Sequence, residues 1–146
     1  MQKMVMATTT LALLLGISLV PATNASAATY PMDSPYRYIR MCGTGYRTLE
    51  TVPTGVGNVF VYSKGYYICA IHVRKNVRQP GWTGVVLNRY YSVAHDDSVK
   101  YSYKTDPVHI YIGTLALKYH KCVRLEWNYN SIHPGGSTGW GKDVCV

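Results

Sequence analysis

No stretch of this chain approaches the roughly 20 consecutive apolar residues that a membrane-spanning helix needs; the apolar run at residues 11–20 has ten. No Cys-x2-Cys pair occurs, which argues against a zinc site, and no metal or other cofactor is expected. After residue 27 no segment sustains an i, i+3, i+4, i+7 apolar pattern with caps. Residues 115–121 come nearest to a helical turn and are short. Helical architectures are thereby excluded. Acid and phenylalanine are also scarce: seven Asp and Glu stand against 15 Lys and Arg, and one Phe against 14 Tyr and three Trp.

Residues 1–27 have the form of a secretory signal peptide. Lys3 is their only charge, Pro21 ends the apolar run, and Ala25-Ser-Ala27 fits the small-x-small cleavage rule. The expected exported domain is 28–146, a single domain's worth of chain. Of the formal net charge of +8 only Lys3 lies in the leader, leaving +7 on the exported part. A basic secreted domain is drawn to anionic polymers such as those of a cell envelope. Four cysteines, Cys42, Cys69, Cys122 and Cys145, all fall in this part. An even count outside the cytoplasm implies two disulfides. Three pairings are possible; Cys42–Cys69 and Cys122–Cys145 are favoured, because each closes a compact segment. On the chain-entropy argument each loop of about 25 residues contributes roughly 3.5 kcal/mol.

Strand signals dominate the rest. Apolar or alternating runs cover residues 46–52, 58–62, 66–73, 84–88 (running on toward 91), 99–104, 108–112 and 122–129. Ser63-Lys64-Gly65 reads as a hairpin, His95-Asp-Asp-Ser98 as a turn, and Pro134 to Gly141 as a Gly-rich loop tethered by Cys145. The strands at 99–104 and 108–112 are expected to pair around Asp106-Pro107. In the last run Val123, Leu125, Trp127 and Tyr129 share one face, and Arg124, Glu126 and Asn128 the other. The fold expected is an all-β small sandwich or barrel of about seven short strands. Its core should include Phe60 or Val61, Ile68 or Cys69, Val85 or Val86, Ile110, Leu125 and Trp127, the alternatives arising where both faces are apolar.

Several pieces in order carry a resemblance. They are a signal ending in Ala-Ala-Thr-Tyr30, Cys42-Gly-x-Gly-Tyr46, Gly57-x-Val-Phe60 with Tyr62-Ser63, Cys69-x-x-x-Val73-Arg74, Pro107-Val108 with Tyr111, Cys122-Val123 ahead of Trp127, and Cys145. Together they resemble the spore-associated protein A family, small secreted proteins of filamentous, spore-forming bacteria. The resemblance implies a cell- or spore-surface protein without an assigned reaction, and supplies no catalytic residue. The chain departs from that family in its charge and in Asn128-Tyr129 after Trp127.

A small secreted ribonuclease would need a Glu or His base, a His acid and an Arg clamp. Glu50, Glu126, His72, His109, His120, Arg74 and Arg124 supply the types, but His72 and His109 sit inside apolar strands and Glu126 alternates with Arg124. His95-Asp96-Asp97 reads as local turn bonding rather than a metal site. Gly135-Gly-Ser-Thr-Gly139 reads as a flexible loop. A carbohydrate-binding role would use Trp82 and Trp140, expected in loops, where they either stack on sugars or cap the core. The reading that follows is a non-enzymatic, surface-associated protein that binds anionic envelope polymer weakly. Its candidate contacts are Arg47, Trp82, Lys100, Lys104, Arg124, Trp140 and Lys142; nucleic acid is not expected as a partner. The secreted protein should begin at Ala28 or Thr29 and show no alkylatable thiol before reduction. Intact-mass measurement with and without reductant checks both, and four reactive thiols in the native protein would refute the disulfides.

Overall fold

The computed structural model describes residues 31–89, 95–113, 122–130 and 140–146. The leader, residues 115–121, His120 and the loop at 131–139 lie outside the described residues. Eight strands form two antiparallel four-stranded sheets. They are β1 (Arg47–Pro53), β2 (Gly57–Lys64), β3 (Tyr67–Arg74), β4 (Gly81–Asn88), β5 (His95–Ser102), β6 (Val108–Tyr111), β7 (Cys122–Tyr129) and β8 (Trp140–Cys145). The first sheet has the order β1-β2-β3-β6, the second β5-β4-β7-β8. An arm with two 3-10 turns, Pro35–Arg37 and Ile39–Cys42, precedes β1.

The sheets face each other across one core. Val59 and Val61 of β2, Ile68 and Ala70 of β3, and Val108 and Ile110 of β6 meet Val85, Leu87, Val123, Leu125, Trp127 and Val144 of the second sheet. A second apolar cluster lies on the outside of the first sheet. Phe60, Tyr62, Cys69, Ile71 and Val73 project there, and Tyr38 and Cys42 of the arm cover them. Tyr38 stacks on Phe60 at 5.5 Å, and the Tyr62 hydroxyl donates to the Pro35 carbonyl at 2.7 Å. The Cys42–Cys69 disulfide pins the arm to β3. The paired alternatives for the core thus both hold: Phe60 and Val61 are both fully buried, on opposite faces, as are Ile68 and Cys69. The other disulfide, Cys122–Cys145, joins directly paired residues of β7 and β8.

Turn and edge chemistry follow the same logic. Gly65 takes φ +56° in the β2–β3 hairpin, a region that costs a side-chain-bearing residue energy. Pro53, which cannot donate to a ladder, ends an edge strand.

Three sequence expectations need correction. His95-Asp-Asp-Ser98 is not a turn but the first half of β5, paired residue for residue with Val85 to Asn88. Its charges suit an edge strand, where they block further pairing. Residues 99–104 and 108–112 do not pair with each other: β5 joins β4 in one sheet and β6 joins β3 in the other. The chain crosses between sheets because Thr105 is anchored on His72, its N–H donating to the His72 carbonyl at 3.0 Å and its hydroxyl accepting from the His72 N–H at 3.1 Å. Trp82 and Trp140 lie in strands, not loops: Trp82 is the second residue of β4 and Trp140 opens β8. Among the described residues the strands number eight, in keeping with the expected all-β architecture of about seven; the terminal segment pairs with β7.

Burial on both faces of β3 has a measurable consequence. Ile71→Ala, on the outer face, should cost about 2–5 kcal/mol, as Leu125→Ala in the inter-sheet core should. Urea unfolding checks this; a loss under about 0.5 kcal/mol at Ile71, the value of a solvent-facing position, would mean that the arm does not seal that face.

Candidate functional site

The residues expected to bind are spread over β1, β4, β5, β7 and β8, with Lys104 just beyond β5, and three of their five cations are already ion-paired. Lys100 pairs with Asp106 at 3.2 Å. Arg124 reaches Asp143 at 3.4 Å and Glu126 at 3.9 Å. Lys142 pairs with Glu50, bridging the edge strands of the two sheets. Arg47 donates to the Ser63 hydroxyl at 3.5 Å, and Lys104 reaches the Met41 sulfur at 3.2 Å and lies over the Tyr103 ring. Trp82 packs edge-on against Tyr101 at 5.6 Å, and Trp140 is 63% exposed. A cation held by a neighbouring carboxylate has little field left for a distant polymer.

A run of cations without an ion pair stands on the β3–β4 turn. Arg74, Lys75 and Arg78 fall within five residues, and none forms an ion pair among the described residues. The turn is held by its backbone. The Arg74 N–H donates to the Tyr103 carbonyl at 2.7 Å and the Lys75 N–H to the Val56 carbonyl at 2.9 Å. The Asn76 side chain accepts from the Arg78 N–H at 3.0 Å, a local turn that leaves the side chains of Lys75 and Arg78 exposed. The Arg74 guanidinium lies on Gly81, where a Cβ would come within 2.8 Å of Nη1. From there it reaches the Trp82 carbonyl at 3.4 Å and Asn130 Oδ1 at 3.5 Å. Arg74 and Lys75 also border a groove of about 210 Å3 against Phe60, Val73, Asn58 and Met32, with Asp33 as its one acid.

Comparison of the chain with protein-family models, curated proteins and solved structures finds no match. The chemistry of the turn therefore rests on its own side chains. In the sequence Arg74 is visible only as a possible phosphate clamp, and Lys75 and Arg78 are missed. The signal was present in Arg74-Lys-Asn-Val-Arg78, three cations in five residues just before Pro80-Gly81.

The residues weighed for a ribonuclease do not converge. Among the described ones only Arg124 and Glu126 are joined by a hydrogen bond or ion pair. Glu50 belongs to Lys142, and His109 sits with Nε2 3.1 Å from the Cys42 carbonyl oxygen. The ligand atoms of Cys42, Cys69 and His109 lie within 4.8 Å of one another, but the S–S bond uses both sulfurs. Gly135-Gly-Ser-Thr-Gly139 does have the letters of the Gly-x-Ser-x-Gly elbow. That elbow needs a helix after it, whereas this string leads into β8 and lies outside the described residues.

His72 is fully buried between the sheets and joins them. Its Nδ1 lies 3.1 Å from the Gly84 carbonyl oxygen of β4, and its Nε2 3.1 Å from the Thr54 hydroxyl. A carbonyl can only accept, so Nδ1 carries the proton and Nε2 accepts from Thr54. The Thr54 oxygen in turn accepts from the Gly57 N–H at 2.9 Å. Burial, aided by nearby Arg74 and opposed by the Gly84 hydrogen bond, lowers the His72 pKa from 6.5 to about 4. The folded imidazole stays neutral while the unfolded chain takes up a proton below pH 6.5. Stability should therefore be full above about pH 6.5 and fall by about 3 kcal/mol as pH drops to 4. Denaturant unfolding from pH 8 to 4 checks this. His72→Asn should flatten that fall even if it lowers stability throughout, and an unchanged slope would remove His72 as its cause.

Proposed function

We propose that this protein is a secreted, non-enzymatic binding module that holds to an anionic envelope polymer through the β3–β4 turn. The observation that carries the reading is the cationic triad Arg74, Lys75 and Arg78, which forms no ion pair among the described residues. Three exposed or half-exposed cations on a turn with a fixed backbone present phosphate or carboxylate groups with donors already in place. Trp82, 37% exposed, accepts from Arg74 through its carbonyl, and its ring packs edge-on against Tyr101. The leader-like residues 1–27 and the +8 formal charge support export and an anionic partner. The resemblance to the spore-associated protein A family supports a cell or spore surface as the place of action.

Attraction of this kind is screened over about 8–10 Å at physiological ionic strength. Retention on isolated envelope material should fall steeply between low and moderate salt. The triple variant Arg74→Glu, Lys75→Glu, Arg78→Glu should lose at least about tenfold in affinity at low salt, at roughly 0.5 kcal/mol per contact. Reversal of the ion-paired Lys100 should change little. Cosedimentation across a salt series measures both; retention that persists in high salt and in the triple variant would overturn the reading.

A further inference from the structure

Arg74 closes β3; at the strand's other end the chain presents a row of tyrosines. Tyr67 opens β3 and is paired directly with Tyr111 of the edge strand β6. Their ring centroids are 5.0 Å apart, and Tyr66 meets Tyr111 edge-on at 6.4 Å. These three rings are 39%, 48% and 50% exposed for Tyr66, Tyr67 and Tyr111. Tyr46, where the arm enters β1, extends the row. Its ring lies edge-on to His109 at 5.8 Å and 6.0 Å from Lys64 Nζ. The arm that seals the rest of this face leaves Tyr66, Tyr67 and Tyr111 outside, while Tyr46 packs partly against the outer cluster.

Contiguous exposed ring surface marks a binding site more often than chance solvent exposure does. The hydroxyls of Tyr66, Tyr67 and Tyr111 form no hydrogen bond with a described residue. Flat ring faces with unspent hydroxyls at their rims match the C–H face and hydroxyl edge of a pyranose ring. The cations beside the row reach neutral acceptors of the chain itself: Lys64 donates to the Thr44 carbonyl at 2.8 Å and Arg47 to the Ser63 hydroxyl at 3.5 Å. Beside Tyr46 lies a hollow of about 360 Å3, lined by Ile39, Arg40, Gly43, Thr44 and Gly45. An acetamido group fits its chemistry, with a methyl for the apolar wall and a carbonyl oxygen for the Arg40 guanidinium.

We propose that Tyr46, Tyr66, Tyr67 and Tyr111 form a stacking platform for a polysaccharide of N-acetylated amino sugars. The platform is separate from the cationic turn, and its binding does not depend on that turn. Its stacking contacts survive 1 M salt, where screening acts within about 3 Å.

The test uses the secreted protein with the β-1,4-linked hexamer of N-acetylglucosamine as probe, titrated by calorimetry in low and in 1 M salt. Binding should be alike in both. It should weaken about tenfold in Tyr111→Ala and in Tyr66→Ala, two exposed sites whose fold is checked by circular dichroism. It should persist in Tyr111→Phe and in the triple variant of the turn. The unacetylated glucose hexamer should bind more weakly. Absence of hexamer binding, or binding indifferent to both alanine variants, would overturn the proposal. Equal affinity for the glucose hexamer would overturn the acetamido assignment. Concentration-dependent self-association lost in Tyr111→Ala, without hexamer binding, would assign the row to a second copy of the chain instead. Loss of salt-sensitive retention in the turn variant, with hexamer binding intact, bears on the turn alone.

Discussion

The β2–β3 hairpin is apolar on both faces, and the rest of the molecule is arranged to keep water from both. A strand pair that alternates apolar and polar residues needs one cover; this one needs two. The second sheet supplies the first, through Val85, Leu87, Leu125 and Trp127. The arm supplies the other, with Tyr38 stacked on Phe60 and Cys42 bonded to Cys69. At about 1.5–3 kcal/mol for each fully buried large apolar side chain, Phe60, Tyr62 and Ile71 make the outer cluster a substantial share of stability. The arm carries no long helix or strand of its own. What holds it is the face it covers, together with one disulfide and the Tyr62–Pro35 hydrogen bond.

The sides of the sandwich are closed by polar contacts of two kinds. On one side Lys142 of β8 and Glu50 of β1 join the edge strands of opposite sheets. Within the interior His72 ties β3 to β4 and to the β1–β2 turn, and its main chain holds Thr105 where the chain passes from β5 to β6. Each buried polar atom of this histidine is bonded, which is the condition for a polar group to sit between two sheets. It is also why His72 serves the architecture while the functional proposals fall at the two ends of β3.

With only seven acids, their placement decides where positive charge remains available. Glu50, Asp106, Glu126 and Asp143 neutralise cations on the flanks of the sandwich. The β3–β4 turn has no such partner among the described residues, and three cations without an acid stand there together. At the opposite end of β3 aromatic surface is left exposed. The two ends of one strand thus offer complementary chemistries, ionic and stacking.

Residue order alone was enough to indicate an all-β sandwich and the two disulfides. The alternation in Val123 to Tyr129 and the turn at Lys64-Gly65 are local signals, and each half of the cysteine set closes a short loop. The facing of Phe60 against Val61 was not legible, because a strand covered on both sides has no period to read. His95 to Ser98 looked like a turn because local propensity favours one, and an eight-residue ladder with β4 overrode it. Charged residues were recognisable as charged, but not as spent: Lys142 and Glu50 are 92 residues apart in the chain. Which cations remain free, and which tyrosines stay uncovered, depends on contacts between distant segments. Those contacts exist only once the sheets and the arm have packed, so tertiary structure alone decided them.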